Sequence, residues 1–333
     1  MKIFLTGGTG FIGKALLEAL VEKGYFVRAL ARNETQKKEL EGLGAEVVLG
    51  SLENAKMELL GGMEAVFHLA AIRYEWGHLP EDYEKVNVEA TKNLLKATKE
   101  AGVKKFIFGS SVFVFGYPKK LPIDETFPYA PTTQYARSKM EAEKIVKGYF
   151  GKFEMDTIIL RPTITYGPGD TKGMLLKLAK LIKSKKFAII GNGENFLHLT
   201  HIDDIIRGFL NALQTKGASG DFILASPKGI TQKELAALVA KELDAEISRL
   251  KIPCWLAKSA GLANEIIYGL GMRLGIRYFF REPFISRSKV DIIARSQRYE
   301  TSKAQKILGF EARISFPEGV KEAIVWYKKN GYL

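Results

Sequence analysis

The first half of the chain alternates short apolar runs, rich in β-branched residues, with segments whose apolar positions recur at helical spacing. A parallel strand that is buried on both faces has a continuous apolar run, so these runs predict strands covered by helices. The helical segments 14–23 and 88–100 are followed by Gly24 and Gly102, which are typical helix stops. The predicted strands are 3–6, 26–31, 46–49, 65–69, 105–109 and 157–160. The pattern therefore predicts an α/β fold with a doubly wound parallel sheet.

The pattern changes after about residue 167, where longer helices, short strands and irregular stretches follow, without repeats or low-complexity segments. We expect 1–166 to form the sheet domain, with a return of the chain to it around 196–215. Residues 167–333 are expected to form mainly a smaller, mostly helical substrate-binding domain. In open α/β sheets, ligands bind at the carboxyl edge of the strands, and this second domain is expected to pack there.

The composition is that of a globular protein, because 46% of the 333 residues are hydrophobic and 26% are charged. The single cysteine, Cys254, cannot form an internal disulfide, which favours a reducing compartment. The N-terminal apolar run is too short for a signal-peptide core. The apolar tract 252–284 is interrupted by Lys258, Glu265 and Arg273, so no transmembrane helix is predicted. We expect a cytoplasmic protein.

A formal net charge of +13 raises the question of an anionic partner. Residues 251–333 contain 15 Lys and Arg against 7 Asp and Glu. These charges are dispersed, and no zinc-ligand spacing, helix-turn-helix signal or interleaving of basic and aromatic residues accompanies them. We therefore expect no nucleic-acid partner. A solvated basic face, an anionic cofactor and peripheral contact with a membrane surface all remain open.

The first predicted strand continues directly into TGGTGFIG at 6–13 and then into a helix. Glycines at 7, 10 and 13 permit a tight turn, a close approach of the backbone to a pyrophosphate and close packing of the helix. The helix N-terminus supplies free N–H groups and positive dipole. The order strand, glycine-rich turn and helix favours a dinucleotide site over a glycine-rich turn without a ligand.

The end of the second predicted strand bears on the choice of dinucleotide. NAD enzymes usually place a carboxylate about 20 residues beyond the glycine motif, whereas NADP enzymes place an arginine near the 2′-phosphate. Arg32 stands here, without a carboxylate, and Lys37 and Lys38 follow it. These positive charges and the lack of a carboxylate favour NADP as the cofactor, with NAD as the alternative. A solvent-facing Arg32 at a strand end is the competing interpretation.

Tyr135 and Lys139 are four residues apart and therefore share one face of any helix that contains them. A phenol titrates near 10, so proton transfer near neutral pH requires its pKa to fall by about 2–3 units. A neighbouring ammonium and an oxidised nicotinamide would lower it. Ser110 and Ser111 follow the predicted strand 105–109 and bring a hydroxyl to the same edge of the sheet. Taken singly, each of these features is more often structural.

Together with other motifs, these features resemble the extended short-chain dehydrogenase/reductase family over nearly the whole chain. The pattern is most similar to the group of 3β-hydroxysteroid dehydrogenases, dihydroflavonol reductases and hopanoid-associated epimerase-like proteins. The resemblance implies a Rossmann-type domain and an NAD(P)-dependent enzyme. The motifs are TGGTGFIG at 6–13, HLAA at 68–71, NV-x-x-T-x-NLL at 87–95, SS at 110–111 with FG at 115–116, Y-x-x-SK at 135–139, and RP-x-x-x-YGPG at 161–169.

The resemblance also implies roles for individual residues. Tyr135 would be the acid/base, Lys139 would lower the pKa of Tyr135 and bind the nicotinamide ribose, and Ser111 would orient the substrate oxygen. Two departures from the family pattern are Ser51, where an adenine-binding Asp is usual, and Phe115, where a Tyr is frequent. The implied cofactor-binding residues are Gly7, Thr9, Gly10, Phe11, Ile12, Gly13, Arg32, Ser51, Leu52, Leu69, Ala70, Ala71, Asn87, Tyr135, Lys139 and Pro162.

His198, His201, Asp203 and Asp204 resemble a metal-ligand cluster. Their spacing fits no standard site, and they precede a helical pattern in which an Asp is expected to be the N-cap. We therefore predict no metal site.

Ile164 and Leu197 occupy positions where members of the family that act on nucleotide sugars typically have diphosphate-binding Asn and Arg residues. An aromatic and aliphatic tract between Trp255 and Phe280 follows, where a substrate lid is expected. These features favour an NADP(H)-preferring ketoreductase or alcohol dehydrogenase acting on a small-molecule substrate, an apolar or aromatic secondary alcohol or ketone, with a homodimer expected. The alternatives are a nucleotide-sugar 4-epimerase or dehydratase, with Arg273, Arg277 or Arg281 binding the diphosphate, and a non-catalytic dinucleotide-binding sensor or scaffold.

Overall fold

Seven parallel strands form the central sheet of the computed structural model, which describes residues 1–52, 57–73, 76–248 and 250–333. The strand order is β11-β6-β5-β4-β1-β2-β3. The predicted doubly wound sheet is confirmed, and its order reverses between β1 and β4, the position at which such sheets bind ligands. The sheet strands are β1 (Lys2–Thr6), β2 (Phe26–Ala31), β3 (Glu46–Leu49), β4 (Ala65–His68), β5 (Lys105–Gly109), β6 (Asp156–Pro162) and β11 (Gly220–Leu224).

The remaining strands form three short pairs outside this sheet, and helices connect the strands along the chain. The paired strands are β7 (Ile164–Tyr166) with β10 (Leu199–His201), β9 (Phe196–Leu197) with β12 (Ile230–Thr231), and β8 (Ile189–Ile190) with β13 (Lys251–Ile252). The α-helices are α1 (Phe11–Glu22), α2 (Glu34–Glu41), α3 (Pro80–Tyr83), α4 (Ala90–Glu100), α5 (Gln134–Lys147), α6 (Met174–Lys183), α7 (Ile202–Gln214), α8 (Gln232–Leu243), α9 (Cys254–Arg273), α10 (Arg287–Ala294), α11 (Ser302–Leu308) and α12 (Phe316–Lys329). A π-helix (Glu84–Glu89) precedes α4, and 3-10 turns occupy Met57–Leu60, Val112–Phe115 and Arg277–Phe280.

Alternate residues of each strand enter two separate cores, because successive side chains of a strand point to opposite faces of a sheet. Ile3 and Leu5 pack with α1 and α7, whereas Phe4 packs with α4 and α5 on the other face. These strand residues are fully buried. Both faces are therefore covered, which explains why the strands appear in the sequence as continuous apolar runs.

The chain returns to the sheet domain after the first 166 residues. Helix α7 covers the face that α1 also covers, and β11 pairs in parallel with β6 from Gly220 to Leu224. The sequence pattern indicated a return around 196–215 but not this seventh strand, because a short apolar run does not distinguish a strand from a helix. Helix α11 packs against β11 and α7.

The other part of the C-terminal half has its own core, in which α6, α8 and α12 pack around Tyr166 and Tyr327. Helices α9 and α10 pack against each other beside it. Within the described part of the chain, no helix is both long enough and apolar enough to cross a bilayer.

We expect Gly13→Ala to destabilise the protein, because a Cβ at position 13 would lie 2.0 Å from the carbonyl oxygen of Gly7. The backbone has to shift to relieve this overlap, which typically costs about 1–3 kcal/mol. Gly269→Ala is the matched control in a helix, since its Cβ would meet no atom within 4 Å. Thermal and urea unfolding of the two variants measures the difference. Equal stability of the two variants would show that the close contact between Gly13 and Gly7 does not require glycine at position 13.

Candidate active site

A cavity of about 1800 Å³ lies at the carboxyl ends of the sheet strands. Single drug-sized ligands occupy about 300–1,000 Å³, so this cavity has room for a dinucleotide and a second molecule. It brings together nearly all the site residues predicted from the sequence. Those that line it are Gly7, Thr9, Gly10, Phe11, Ile12, Gly13, Arg32, Ser51, Leu52, Leu69, Ala70, Ala71, Ser111, Tyr135, Lys139 and Pro162.

The glycine-rich loop allows the backbone at the switch point of the sheet to come close to its neighbours. Gly7 has φ of +78°, and a Cβ there would lie 2.5 Å from the backbone nitrogen of Ala70. Helix α1 begins at Phe11, and no side chain caps its N-terminal N–H groups. This arrangement fits a pyrophosphate, which accepts hydrogen bonds from such uncapped N–H groups.

Asn87 does not line the cavity, in contrast to the other cofactor-binding residues that the family resemblance implies. It is buried, and its amide accepts from the Ile72 backbone N–H at 2.7 Å and donates to the Ile72 carbonyl at 2.9 Å. A third bond at 2.9 Å reaches the Ser138 hydroxyl on α5. Asn87 therefore connects Ile72, the residue after Ala71, to helix α5.

Ser111, Tyr135 and Lys139 converge on the cavity from the end of β5 and the first two turns of α5. Thr133 caps α5 by accepting from the Ala136 N–H at 3.1 Å, which places Tyr135 in the first turn. Ser111 accepts from the Phe113 N–H at 3.3 Å, and its hydroxyl acts to lower the pKa of the Tyr135 phenol. The three side chains thus line one cavity.

Burial has the largest effect on the pKa values of Tyr135 and Lys139. Burial raises the pKa of Tyr135, and Arg73 and the hydrogen bond from Ser111 act in the opposite direction. Burial also lowers the pKa of Lys139 to about 7, against the opposing effect of Glu143. The Lys139 ammonium donates to the Gly109 carbonyl at 2.7 Å. The protein alone therefore does not produce the lowered tyrosine pKa that was expected.

A buried ionic cluster lies next to the strand and the helix that carry Ser111, Tyr135 and Lys139. Arg161 donates from Nε and Nη2 to the Glu143 carboxylate at 2.9 and 2.6 Å, and from Nη2 to Asp221 at 2.7 Å. Glu143 also accepts from Ser110 and from Tyr129. The cluster joins α5, β5, β6 and β11, and it holds the chain immediately before Ser111.

Arg32 lies at the opposite end of the cavity, at the end of β2, and its side chain is exposed. Its backbone N–H donates to Oε1 of Gln36 at 3.0 Å, which fixes the turn into α2. Lys37 lies 4.0 Å from Glu41, and neither Lys37 nor Lys38 lines the cavity. Of Arg32, Lys37 and Lys38, only Arg32 therefore lines the cavity that also contains the glycine-rich loop.

The substrate end of the cavity is formed mainly by the C-terminal half of the chain. Ile164 and Leu197 both line it, whereas Arg273 and Arg281 are exposed and do not. The side chains of Arg277 and Phe280 lie outside the described part of the structure. Other apolar and aromatic residues at this end are Leu178, Leu181, Phe187, Tyr268, Tyr278, Phe284, Ile285, Ile292, Ile293, Trp326 and Tyr332.

The charged residues that line the cavity and were missed by the sequence analysis include Arg73 and Asp170. The positive charge of Arg73 opposes the rise that burial causes in the pKa of Tyr135. Asp170 is buried, and its Oδ2 has no hydrogen-bond partner among the described residues. Both residues lie just after a family motif in the sequence. Arg73 is two residues after Ala71, and Asp170 is one residue after Gly169. This proximity was the sequence signal that could have identified them as cavity residues.

Two residues of the metal-like cluster, His198 and His201, hydrogen-bond to neighbouring backbone groups. His198 accepts from the Tyr299 N–H at 3.0 Å and donates to the Ser226 carbonyl at 2.7 Å. His201 caps α7 by accepting from the Asp203 N–H at 3.4 Å, so the N-cap is this histidine and not the expected Asp. Asp203 and Glu322 flank opposite nitrogens of the His201 ring, at 3.7 and 3.5 Å.

Comparisons with known proteins identify the family of the chain. A model of the NAD dependent epimerase/dehydratase family matches residues 3–225. The chain is 27% identical over 327 residues to the 4-hydroxy-2-methyl-3-oxo-4-farnesyl-3,4-dihydroquinoline-1-oxide ketoreductase of Stigmatella aurantiaca, covering 96% of this chain and 95% of the relative. It is 29% identical over 349 residues to the 3beta-hydroxysteroid-dehydrogenase/decarboxylase isoform 1 of Arabidopsis thaliana, and the match covers 96% of this chain and 78% of the relative.

The fold is also similar to that of a solved structure, the UDP-glucuronic acid 4-epimerase from Bacillus cereus in complex with NAD. The TM-score is 0.78 at 23% sequence identity, with 99% of each chain covered. The family match extends over well more than half of the chain and includes Ser111, Tyr135 and Lys139. The resemblance inferred from the motifs is therefore confirmed. The chain belongs to the NAD-dependent epimerase/dehydratase family and is an NAD(P)-dependent enzyme of the extended short-chain dehydrogenase/reductase type.

Proposed function

We propose that this enzyme is an NADP(H)-preferring ketoreductase or alcohol dehydrogenase that acts on an apolar or aromatic secondary alcohol or ketone. The observation that carries the proposal is the apolar wall that shares one cavity with Ser111, Tyr135 and Lys139. A farnesyl chain and a steroid nucleus, which appear in the names of the two curated relatives, are also apolar.

In ketone reduction, the Tyr135 hydroxyl donates its proton to the substrate oxygen as the carbonyl carbon gains a hydride. The nicotinamide, when bound, supplies that hydride and, in its oxidised form, a positive charge beside the phenol. Ser111 donates a hydrogen bond that orients the substrate oxygen. Lys139, held by the Gly109 carbonyl, lies one helical turn beyond Tyr135 and is positioned to bind the nicotinamide ribose.

The substrate end of the cavity is poorly suited to a diphosphate. Ile164 and Leu197 cannot pair with phosphate charges, and a buried unpaired charge is costly. Among the lysines that line the cavity, Lys177 and Lys289 lie 3.0 and 3.4 Å from the Glu282 carboxylate. Burial of apolar ring surface, by contrast, gains about 25 cal/mol per Å². The wall therefore favours an apolar substrate over a nucleotide sugar.

Arg32→Ala is expected to weaken NADP binding about tenfold, or ~1.4 kcal/mol, while NAD binding stays unchanged. The reason is that the guanidinium at the end of β2 pairs with the 2′-phosphate, which NAD lacks. Titration calorimetry with both nucleotides measures the effect. Lys38→Ala is the control, since Lys38 does not line the cavity. Tighter binding of NAD than of NADP by the unaltered enzyme would refute the preference.

Tyr135→Phe is expected to reduce kcat about 10²–10⁴-fold and to leave cofactor affinity nearly unchanged, because it removes only the transferable proton. Lys139→Ala is expected to lower both kcat and cofactor affinity. Lys144→Ala is the control on the same helix, because Lys144 is exposed and lies 2.9 Å from Glu141. Steady-state kinetics and cofactor titration separate these outcomes. A Tyr135→Phe enzyme with near-full turnover contradicts the assignment.

Ketones that carry fused or aromatic rings are expected to drive saturable oxidation of NADPH, and uridine diphosphate is not expected to compete at millimolar concentration. Absorbance of the reduced nicotinamide measures turnover. Micromolar binding of a uridine or thymidine diphosphate sugar in the presence of cofactor would establish the alternative, a nucleotide-sugar 4-epimerase or dehydratase. Bound cofactor without turnover of any substrate in a broad panel would favour the non-catalytic alternative.

A further inference from the structure

Helix α9 leaves a large apolar face exposed. Trp255, Leu262, Ile266 and Leu270 recur at helical spacing along one side of the helix, and they are 69%, 41%, 54% and 54% exposed. No acidic residue lies on this face, since Glu265, the one acidic residue of α9, points to another side and binds Arg287 at 2.7 Å. Monomeric soluble proteins rarely expose contiguous apolar patches larger than a few hundred Å², and larger patches mark interaction sites.

A basic surface adjoins the segment that follows this helix. Residues 171–186 contain six lysines and no Asp or Glu. Three of these lysines, Lys177, Lys180 and Lys186, line a cleft of about 490 Å³ together with Phe284, whose side chain is 77% exposed. Apolar and cationic side chains therefore meet at Phe284.

Residues 251–295, which include α9 and Phe284, also carry an excess of positive charge. Residues 251–295 contain eight Lys and Arg but only three Asp and Glu. Each of the three carboxylates is ion-paired: Glu265 with Arg287, Glu282 with Lys177 and Lys289, and Asp291 with Lys258 and Arg295. The positive excess of this region is therefore not neutralised locally.

We propose that the exposed face of α9, together with Phe284, Lys180 and Lys186, is a docking surface for an anionic phospholipid bilayer. Apolar side chains of an interfacial helix enter the boundary between headgroups and acyl chains, and lysines bind the phosphates. A second copy of the chain is the less suitable occupant, because like-charged basic surfaces would be brought together. The helix lies on the membrane and does not cross it.

The cleft at Phe284 is continuous with the substrate end of the large cavity. Phe284, Lys177 and Leu181 line both the cleft and the large cavity. A docked enzyme would thus face the bilayer near this end of the cavity, where an apolar substrate dissolved in lipid could enter. Binding to lipid is a separate property from the proposed reaction, and it is measured without turnover.

The test is co-flotation of the full chain with vesicles of phosphatidylcholine alone and of phosphatidylcholine with phosphatidylglycerol. We expect binding to the anionic vesicles that weakens at high salt. Lys180→Ala/Lys186→Ala is expected to lower the partition coefficient about fivefold per lysine, which corresponds to ~1 kcal/mol for each basic residue near the surface. Ile266→Glu/Leu270→Glu is expected to abolish binding.

Two matched variants serve as controls, both on exposed positions of other helices. Ile307→Glu places the same change on α11, at a side chain that is 45% exposed, and Lys321→Ala removes a lysine from α12. Both are expected to bind as the unaltered protein does, and circular dichroism confirms that all variants are folded. The proposal is overturned by absence of binding to anionic vesicles, by equal binding to neutral ones, or by unchanged binding of the α9 variant. A dimer that Ile266→Glu disrupts, without vesicle binding, assigns the surface to a second copy.

Discussion

The close backbone approach between the glycine-rich loop and the segment after β4 determines where everything else in the site lies. Gly7 leaves no room for a Cβ next to Ala70, and Gly13 leaves none next to Gly7. These contacts bring the N-terminus of α1 to the point where the strand order reverses. An anion-binding helix end and a crevice between diverging strands then coincide, which is the physical basis of dinucleotide binding in such sheets.

A buried ion pair fixes helix α5 to the sheet. The buried Arg161 guanidinium and Glu143 carboxylate link β6 to α5, and Glu143 also accepts from Ser110. Removing one partner of a buried ion pair leaves an uncompensated charge, which typically costs about 3–5 kcal/mol. The pair therefore ties Ser111, at the end of β5, to the helix that carries Tyr135 and Lys139.

The cavity has two ends of different chemistry, and they come from different parts of the chain. The cofactor end is built largely from backbone at the ends of β1 and β4, with Arg32 as the nearby cation. The substrate end is built from side chains of the C-terminal half, most of which are apolar. The lipid-facing surface that we infer continues this second end. The cofactor site that we propose is thus formed largely by the sheet, and the proposed substrate site is formed largely by side chains of the C-terminal half.

Residues 1–166 could largely be interpreted from the sequence, because the signals there are local. Continuous apolar runs predicted six of the seven sheet strands, and the motifs around Gly7, Ser111, Tyr135 and Lys139 placed these residues at strand or helix ends that parallel topology brings to one edge. Contacts between distant segments were decided only by the tertiary structure. The return of Gly220–Leu224 to the sheet, the bonds of Asn87 to Ile72, and the entry of Arg73 and Asp170 into the cavity all depend on packing across the fold. The same is true of the pKa of Tyr135, which burial raises, since the degree of burial is a property of the assembled site and not of the residue spacing.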